Sequence, residues 1–168
     1  LSERLVGVEL GERARPSGMS RGIDVVVIGS PFGADQIAWQ IAAPLAARGY
    51  RVARLDRPGL NLLPLLAATP SLVLIDALLG GRAGEPQRLQ LTQLLQQAAL
   101  SSHQIGVAEA LALAAALDQL PAELTLIGIA IGDDPNAAVV VDEAALLALL
   151  PPIAEAHGES IESVTILP

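Results

Sequence analysis

Ile23-Asp24-Val25-Val26-Val27-Ile28-Gly29-Ser30-Pro31-Phe32-Gly33-Ala34-Asp35-Gln36 is the stretch on which the fold turns. Its first six residues are apolar and β-branched apart from Asp24. That is the composition of a strand buried on both faces, as in a parallel sheet. Gly29 to Gly33 is a tight loop, and Asp35 fits a helix N-cap. Ile37, Ile41 and Leu45, with Ala38 and Ala42, continue as a helical stripe. Pro44 falls inside that helix and predicts a kink, at roughly 3 kcal/mol if unrelieved. Gly49 is a natural stop.

Working outward, the same alternation repeats. Tyr50 to Leu55 reads as a second strand ending at Asp56, and Gly59 to Ala68 as a short helix limited by Pro64. Ser71 to Ile75 reads as a third strand with Asp76 at its end. Gly80, Gly81, Gly84 and Pro86 mark a loop. Arg88 to Leu91 reads as a strand, although Leu89 to Ala99 also reads as a helix. Ser101 and Gln104 fit a capping box at the start of the next helix. Its stripe is Ile105, Ala108, Leu111, Ala112 and Ala115. Pro121 stops it, and Leu124 to Ile131 is the last core strand. Gly132 to Asn136 is turn-rich. Asp142 caps a final helix to about Ala156, expected to kink near Pro151-Pro152. A tail from Glu159 carries a β-like Val164-Thr165-Ile166. Alternating strands and helices predict an α/β chain with a mainly parallel sheet.

Composition narrows the function. The chain has 168 residues, enough for one domain with a real core. Residues 1–18 read as an extension or edge element, and 19–168 as the single domain. One Phe, one Tyr and one Trp leave a core of Leu, Ala, Val and Ile. A net charge of −8 argues against nucleic acid or an anionic membrane surface as partner. There is no cysteine, so thiolate and zinc–cysteine chemistry are excluded, and a cytoplasmic setting fits. No apolar run is long enough for membrane insertion, and no secretory signal pattern opens the chain.

Ligands in parallel sheets bind beyond the carboxyl ends of the strands. The Gly29–Gln36 loop, Asp56, Asp76 and His103 all fall there if the helix that His103 opens begins at that rim. A nucleotide site lacks the dinucleotide fingerprint and the P-loop Lys-Ser/Thr pair, and Asp35 would repel phosphate. A serine hydrolase lacks a nucleophile elbow. A cation site is the third reading, since carboxylate and imidazole suit divalent first-row metals, although the spacing is not a strong motif by itself. Taken singly, each candidate has a structural reading. Asp35 caps a helix, Asp56 and Asp76 end strands, and His103 sits in a first turn where the helix dipole favours neutral imidazole. His157, beside Gly158, reads as a solvated helix-end residue.

Three blocks together resemble the nickel-iron hydrogenase maturation endopeptidases. Val25 to Gln36 resembles that family's opening strand, Gly-Asn-Pro-Leu loop and acidic pair. Leu72-Val73-Leu74-Ile75-Asp76-Ala77 resembles its third strand with a terminal Asp. Ser102-His103-Gln104-Ile105-Gly106, then Glu109-Ala110-Leu111 and Leu126-Ile127-Gly128-Ile129, resembles its histidine helix and following strand. The resemblance implies a three-layer α/β/α sandwich with a twisted sheet of about five strands. It implies an endopeptidase that removes the C-terminal extension of the hydrogenase large subunit after nickel insertion. The partner is then the large-subunit precursor. Nickel is recognised in that substrate, with other divalent metals as stand-ins in vitro, and no organic cofactor is needed. By position the metal-recognising residues are Gln36, Asp76 and His103, with Asp35 as a substitute. Asp56, Gly29 and Ser101 support them. The group that attacks the peptide bond is not assigned.

Several positions depart from the family pattern. Gln36 stands where the second acid is usual, and a neutral amide is a poorer cation ligand than a carboxylate. Ser30 replaces Asn, and Ala130 replaces a polar residue. Asp56-Arg57-Pro58-Gly59 is a shortened form of an Asp-Gly-Gly segment. Ala38 and Trp39 stand where small glycine-rich turns are usual. The alternative function is therefore a non-catalytic relative that binds a hydrogenase subunit or metal centre as an assembly factor.

Overall fold

Five strands form one sheet in the order β2-β1-β3-β5-β4: β1 (Asp24–Ile28), β2 (Arg51–Leu55), β3 (Ser71–Leu78), β4 (Pro86–Leu89) and β5 (Glu123–Ala130). Four strands run parallel, and β4 alone is antiparallel, on the outer side of β5. The central strand β3 carries seven buried residues in a row, as expected of a strand covered on both faces. The computed structural model describes residues 24–29, 36–56, 59–97, 102–134 and 136–153, with the backbone alone at 24, 60, 95–97 and 102–105. All of them fall in one compact unit, Gly22–Glu155. Residues 1–18, the Ser30–Gly33 loop, Asp35, Ser101, His157 and the Val164-Thr165-Ile166 tail lie outside the described residues.

The helices are α1 (Gln36–Gln40), α2 (Ala42–Ala47), α3 (Leu63–Ala68), α4 (Leu91–Gln97), α5 (Ser102–Ala116) and α6 (Glu143–Leu149), with a 3₁₀ turn at Gly59–Leu62. Strand alternation divides the core in two. On one face Val25, Val27, Val73, Ile75, Ile127 and Ile129 pack against Ile37, Ile41 and Leu45 of α1 and α2 and Leu146 of α6. On the other, Val26, Ile28, Leu72, Leu74 and Leu126 pack against Leu62, Leu66, Leu94, Val107 and Leu111. This is the expected α/β/α sandwich.

Local differences from expectation have physical causes. Pro44 lacks the N–H that would reach the Gln40 carbonyl, and the first helix is interrupted for one residue at Ile41, which keeps right-handed helical φ and ψ. Pro64 lies in the first turn of α3, where a missing N–H is harmless, so it starts that helix and does not limit it. The ambiguous stretch after Pro86 is both things in turn, β4 and then α4. The final helix stops at Leu149. Leu150 is extended ahead of Pro151, as residues before proline are, and residues 151–153 are not helical. Asp142 caps that helix as expected, its side chain accepting the Ala145 N–H at 3.0 Å.

The buried face of α5 is Val107, Ala108, Ala110, Leu111 and Ala114. Ala112 and Ala115, expected inside, are exposed. The helix is apolar almost all round, so its periodicity does not single out one stripe. Packing on the sheet chooses the face that puts Leu111 in the core with Leu72, Leu74 and Leu126.

Candidate functional site

Asp76 does not end its strand. β3 runs on to Leu78, and Asp76 pairs with Gly128 of β5. The extension follows from sequence: Ala77 and Leu78 are apolar, and β5 is long enough to pair with them through Ile129 and Ala130. The result is a carboxylate within a buried strand, at 9% exposure. Burying a carboxylate is costly unless its oxygens are bonded. Asp76 Oδ1 accepts the Ala77 backbone N–H at 2.8 Å, which fixes the group beside its own strand.

Alternation settles the face. Val73, Ile75 and Ala77 point toward α1 and α2, so Leu72, Leu74 and Asp76 point toward α5. The direction of α5 follows from its connections. It ends at Ala116, and Glu123, which opens β5, donates its N–H to the Pro70 carbonyl just before β3. The C-terminal end of α5 therefore lies at the amino edge of the parallel strands. Its first turn, which contains His103, lies toward their carboxyl edge. Asp76 and the helix of His103 share one face. The His103 side chain and Ser101 lie outside the described residues.

Gln36 opens α1 and its side chain is exposed. That helix packs on the opposite face, through Ile37 and Ala38, so Gln36 and Asp76 approach one another only over the carboxyl edge. Gly29 is buried, and its N–H donates to the Leu55 carbonyl at 3.0 Å, which ties the end of β1 to the end of β2. Asp56 follows Leu55 on the outermost parallel strand, exposed and separated from β3 by β1. Asp35 lies outside the described residues. Among the described residues no three His, Asp or Glu side chains are grouped to hold a metal ion.

Gly128 has a role beside Asp76 that its place in an apolar run does not advertise. A Cβ there would collide with the Leu78 side chain and approach Leu89 Cδ1 to 3.1 Å. The missing side chain lets Leu78 cross over β5 on the face that carries Asp76. A glycine inside a strand pattern was the available signal, since it marks close approach by a neighbour.

The family model described as hydrogenase maturation protease matches residues 57–155. Among solved structures, the [NiFe] hydrogenase maturation protease HybD from Thermococcus kodakarensis is similar, with a TM-score of 0.57 and 21% identity over 76% of this chain and 93% of that one. The hydrogenase maturating endopeptidase HybD from E. coli gives a TM-score of 0.56 and 22% identity over 76% of this chain and 85% of that one. The [NiFe] hydrogenase maturation protease HycI from Thermococcus kodakarensis KOD1 gives 0.55 and 19%, over 79% and 92%. These structures share the fold. No curated protein matches the chain by sequence.

Proposed function

Since the chain belongs to the hydrogenase maturation protease family, we propose that it is an endopeptidase that removes the C-terminal extension of a nickel-iron hydrogenase large subunit after nickel insertion. The reaction is placed in the cytoplasm, which suits a chain without cysteine. Among the described residues no helix is long and apolar enough to cross a membrane. The observation that carries the reading is Asp76: a buried carboxylate on the sheet face covered by the helix of His103. A carboxylate and an imidazole are a suitable pair for a divalent nickel ion presented by the substrate. Gln36, or Asp35 beside it, is assigned the third contact from the opening loop. These residues grip and orient the substrate's metal, which positions the scissile segment.

A second reading rests on Gln36. It is an exposed amide where a charged ligand would bind a cation more strongly. On that reading the protein holds the precursor without cutting it. One experiment separates the two. A nickel-loaded large-subunit precursor is incubated with the protein and its mass is followed. Shortening by a C-terminal peptide, lost on His103→Ala, supports the endopeptidase. No shortening by the wild type, but shortening after Gln36→Glu, supports the second reading. Cleavage that survives His103→Ala would overturn the site.

A further inference from the structure

Helix α5 is apolar almost all round, and a helix of that kind is ordinarily covered on every side. Its packed side is Val107, Ala108, Ala110, Leu111 and Ala114. On the outer side Glu109, Leu113 and Leu117 follow one another at intervals of four, which puts them in one row along the axis. Leu117 lies just past the helix end but keeps the row, since its N–H donates to the Leu113 carbonyl at 3.0 Å. Leu113 is 40% exposed and Leu117 53%. Ala112 and Ala116, also exposed, make a shallow row beside the leucines, so another helix can lie close against them.

Charge says what kind of helix fits. α3 and α4 pack beside α5, and the three together carry a single Asp, Glu, Lys or Arg, which is Glu109, although 17% of the chain is charged. Asp118 follows Leu117 at the turn that ends the row. Both acids are exposed, and among the described residues neither is in an ion pair. The face is thus two leucines with an acid at each end and no base. A second copy laid antiparallel would set Glu109 against its own Asp118, and one laid parallel would bring like acids together. With −8 on each chain, a second copy is repelled. A helix with a base beyond each end of its apolar row is attracted at both.

We propose that the outer face of α5 is a docking face for an amphipathic helix of a partner protein, one with a leucine-type row two turns long and an arginine or lysine beyond each end of it. The apolar rows give the affinity, and Glu109 and Asp118 give the selectivity. Leu113 lies about 15 Å along the axis from His103, toward the amino edge of the sheet, so the docked helix sits away from the Asp76 end. The proposal holds whether or not the partner chain is cut.

The test uses the full chain and a fluorescein-labelled synthetic helix of Ala and Gln, with two Leu residues four apart and an Arg four residues beyond each, read by anisotropy. Saturable binding is expected. Leu113→Gln with Leu117→Gln should weaken it about tenfold or more. Glu109→Lys with Asp118→Asn should reverse the preference, toward the same peptide with Glu in place of Arg. Asn tolerates the positive φ of Asp118, all four positions are exposed, and circular dichroism checks that the variants fold. A scrambled peptide of the same composition keeps its charge but has no leucine row, and should not bind. Equal binding of the scrambled peptide, unchanged binding by the variant with both leucines replaced, or no binding at about 1 mM would each overturn the proposal. So would sedimentation of the chain alone as a dimer that the two leucine substitutions dissolve, since the face would then belong to a second copy.

Discussion

Asp76 is the only ionisable side chain among the buried described residues, and its surroundings separate structural from functional worth. Asn in its place keeps the shape and the oxygen that accepts the Ala77 N–H. Asp76→Asn is therefore expected to change stability in urea by less than about 1.5 kcal/mol. It also removes the charge offered to a cation. Precursor cleavage should fall about 100-fold or more, since metal contacts of this kind are worth several kcal/mol. Cleavage at the wild-type rate would remove Asp76 from the site. At Gly128 the effect falls on stability instead. Gly128→Ala must push aside the buried Leu78 side chain, so we expect a loss of about 1–3 kcal/mol in the same titration. Asp76 was legible in the sequence because a lone carboxylate follows an apolar run. Its place within the strand was not, because strand length depends on what the neighbouring strand can pair with. His103 was legible as a helix residue, and the sharing of one face with Asp76 needed the register.

Among the elements, α5 carries the sharpest test of packing. Ala114 is fully buried and Ala115 is exposed, although periodicity placed Ala115 inside. Ala115→Glu should leave stability within about 0.5 kcal/mol. Ala114→Glu puts an unpaired charge into the buried core that also holds Leu72 and Leu74 and should cost several kcal/mol or prevent folding. The order of these two in chemical denaturation decides the face. The Gly84 turn is a second such element. Gly84 has φ +87°, donates to the Ala130 carbonyl and accepts from the Asp142 N–H, so it joins the ends of β5 and the start of α6. A Cβ there would collide with the Val140 carbonyl oxygen, a backbone atom with little room to yield. Gly84→Ala is expected to cost more than about 2 kcal/mol, through both φ and the collision. The sheet and its helices were largely readable, because strands buried on both faces announce themselves as runs of Val, Ile and Leu. Helix faces were not, because a Leu- and Ala-rich helix has no polar side to orient it. The interruption at Ile41 was foreshadowed by Pro44, but its form depended on how the Gln40 carbonyl could be served.

At the scale of the whole molecule, composition makes alkaline titration unusually clean. The chain has no lysine and no cysteine, one tyrosine, and cations that are all arginine. Arginine stays charged beyond about pH 12. Between roughly pH 9 and 12 the only titrating side chain is then Tyr50. Tyr50 joins β2 to the segment after α6 by donating its hydroxyl to the Pro151 carbonyl at 3.2 Å. Burial raises its pKa above the ordinary 10.0, because the phenolate would lose hydration. The sign follows by linkage. Below the unfolded value both states hold the proton, and stability is unaffected. As pH rises past it, the unfolded chain releases the proton while the folded chain keeps it, so stability falls until the folded pKa is passed. One group cannot exceed a slope of about 1.4 kcal/mol per pH unit, and for this partly exposed hydroxyl the decline is smaller. Urea titrations at successive pH values should show this decline in the wild type. Tyr50→Phe should abolish it, at a cost of about 1 kcal/mol near neutral pH for the lost hydrogen bond. A decline of the same slope in Tyr50→Phe would mean that the alkaline limb has another source and that the hydroxyl does not tie β2 to the end of α6 in solution.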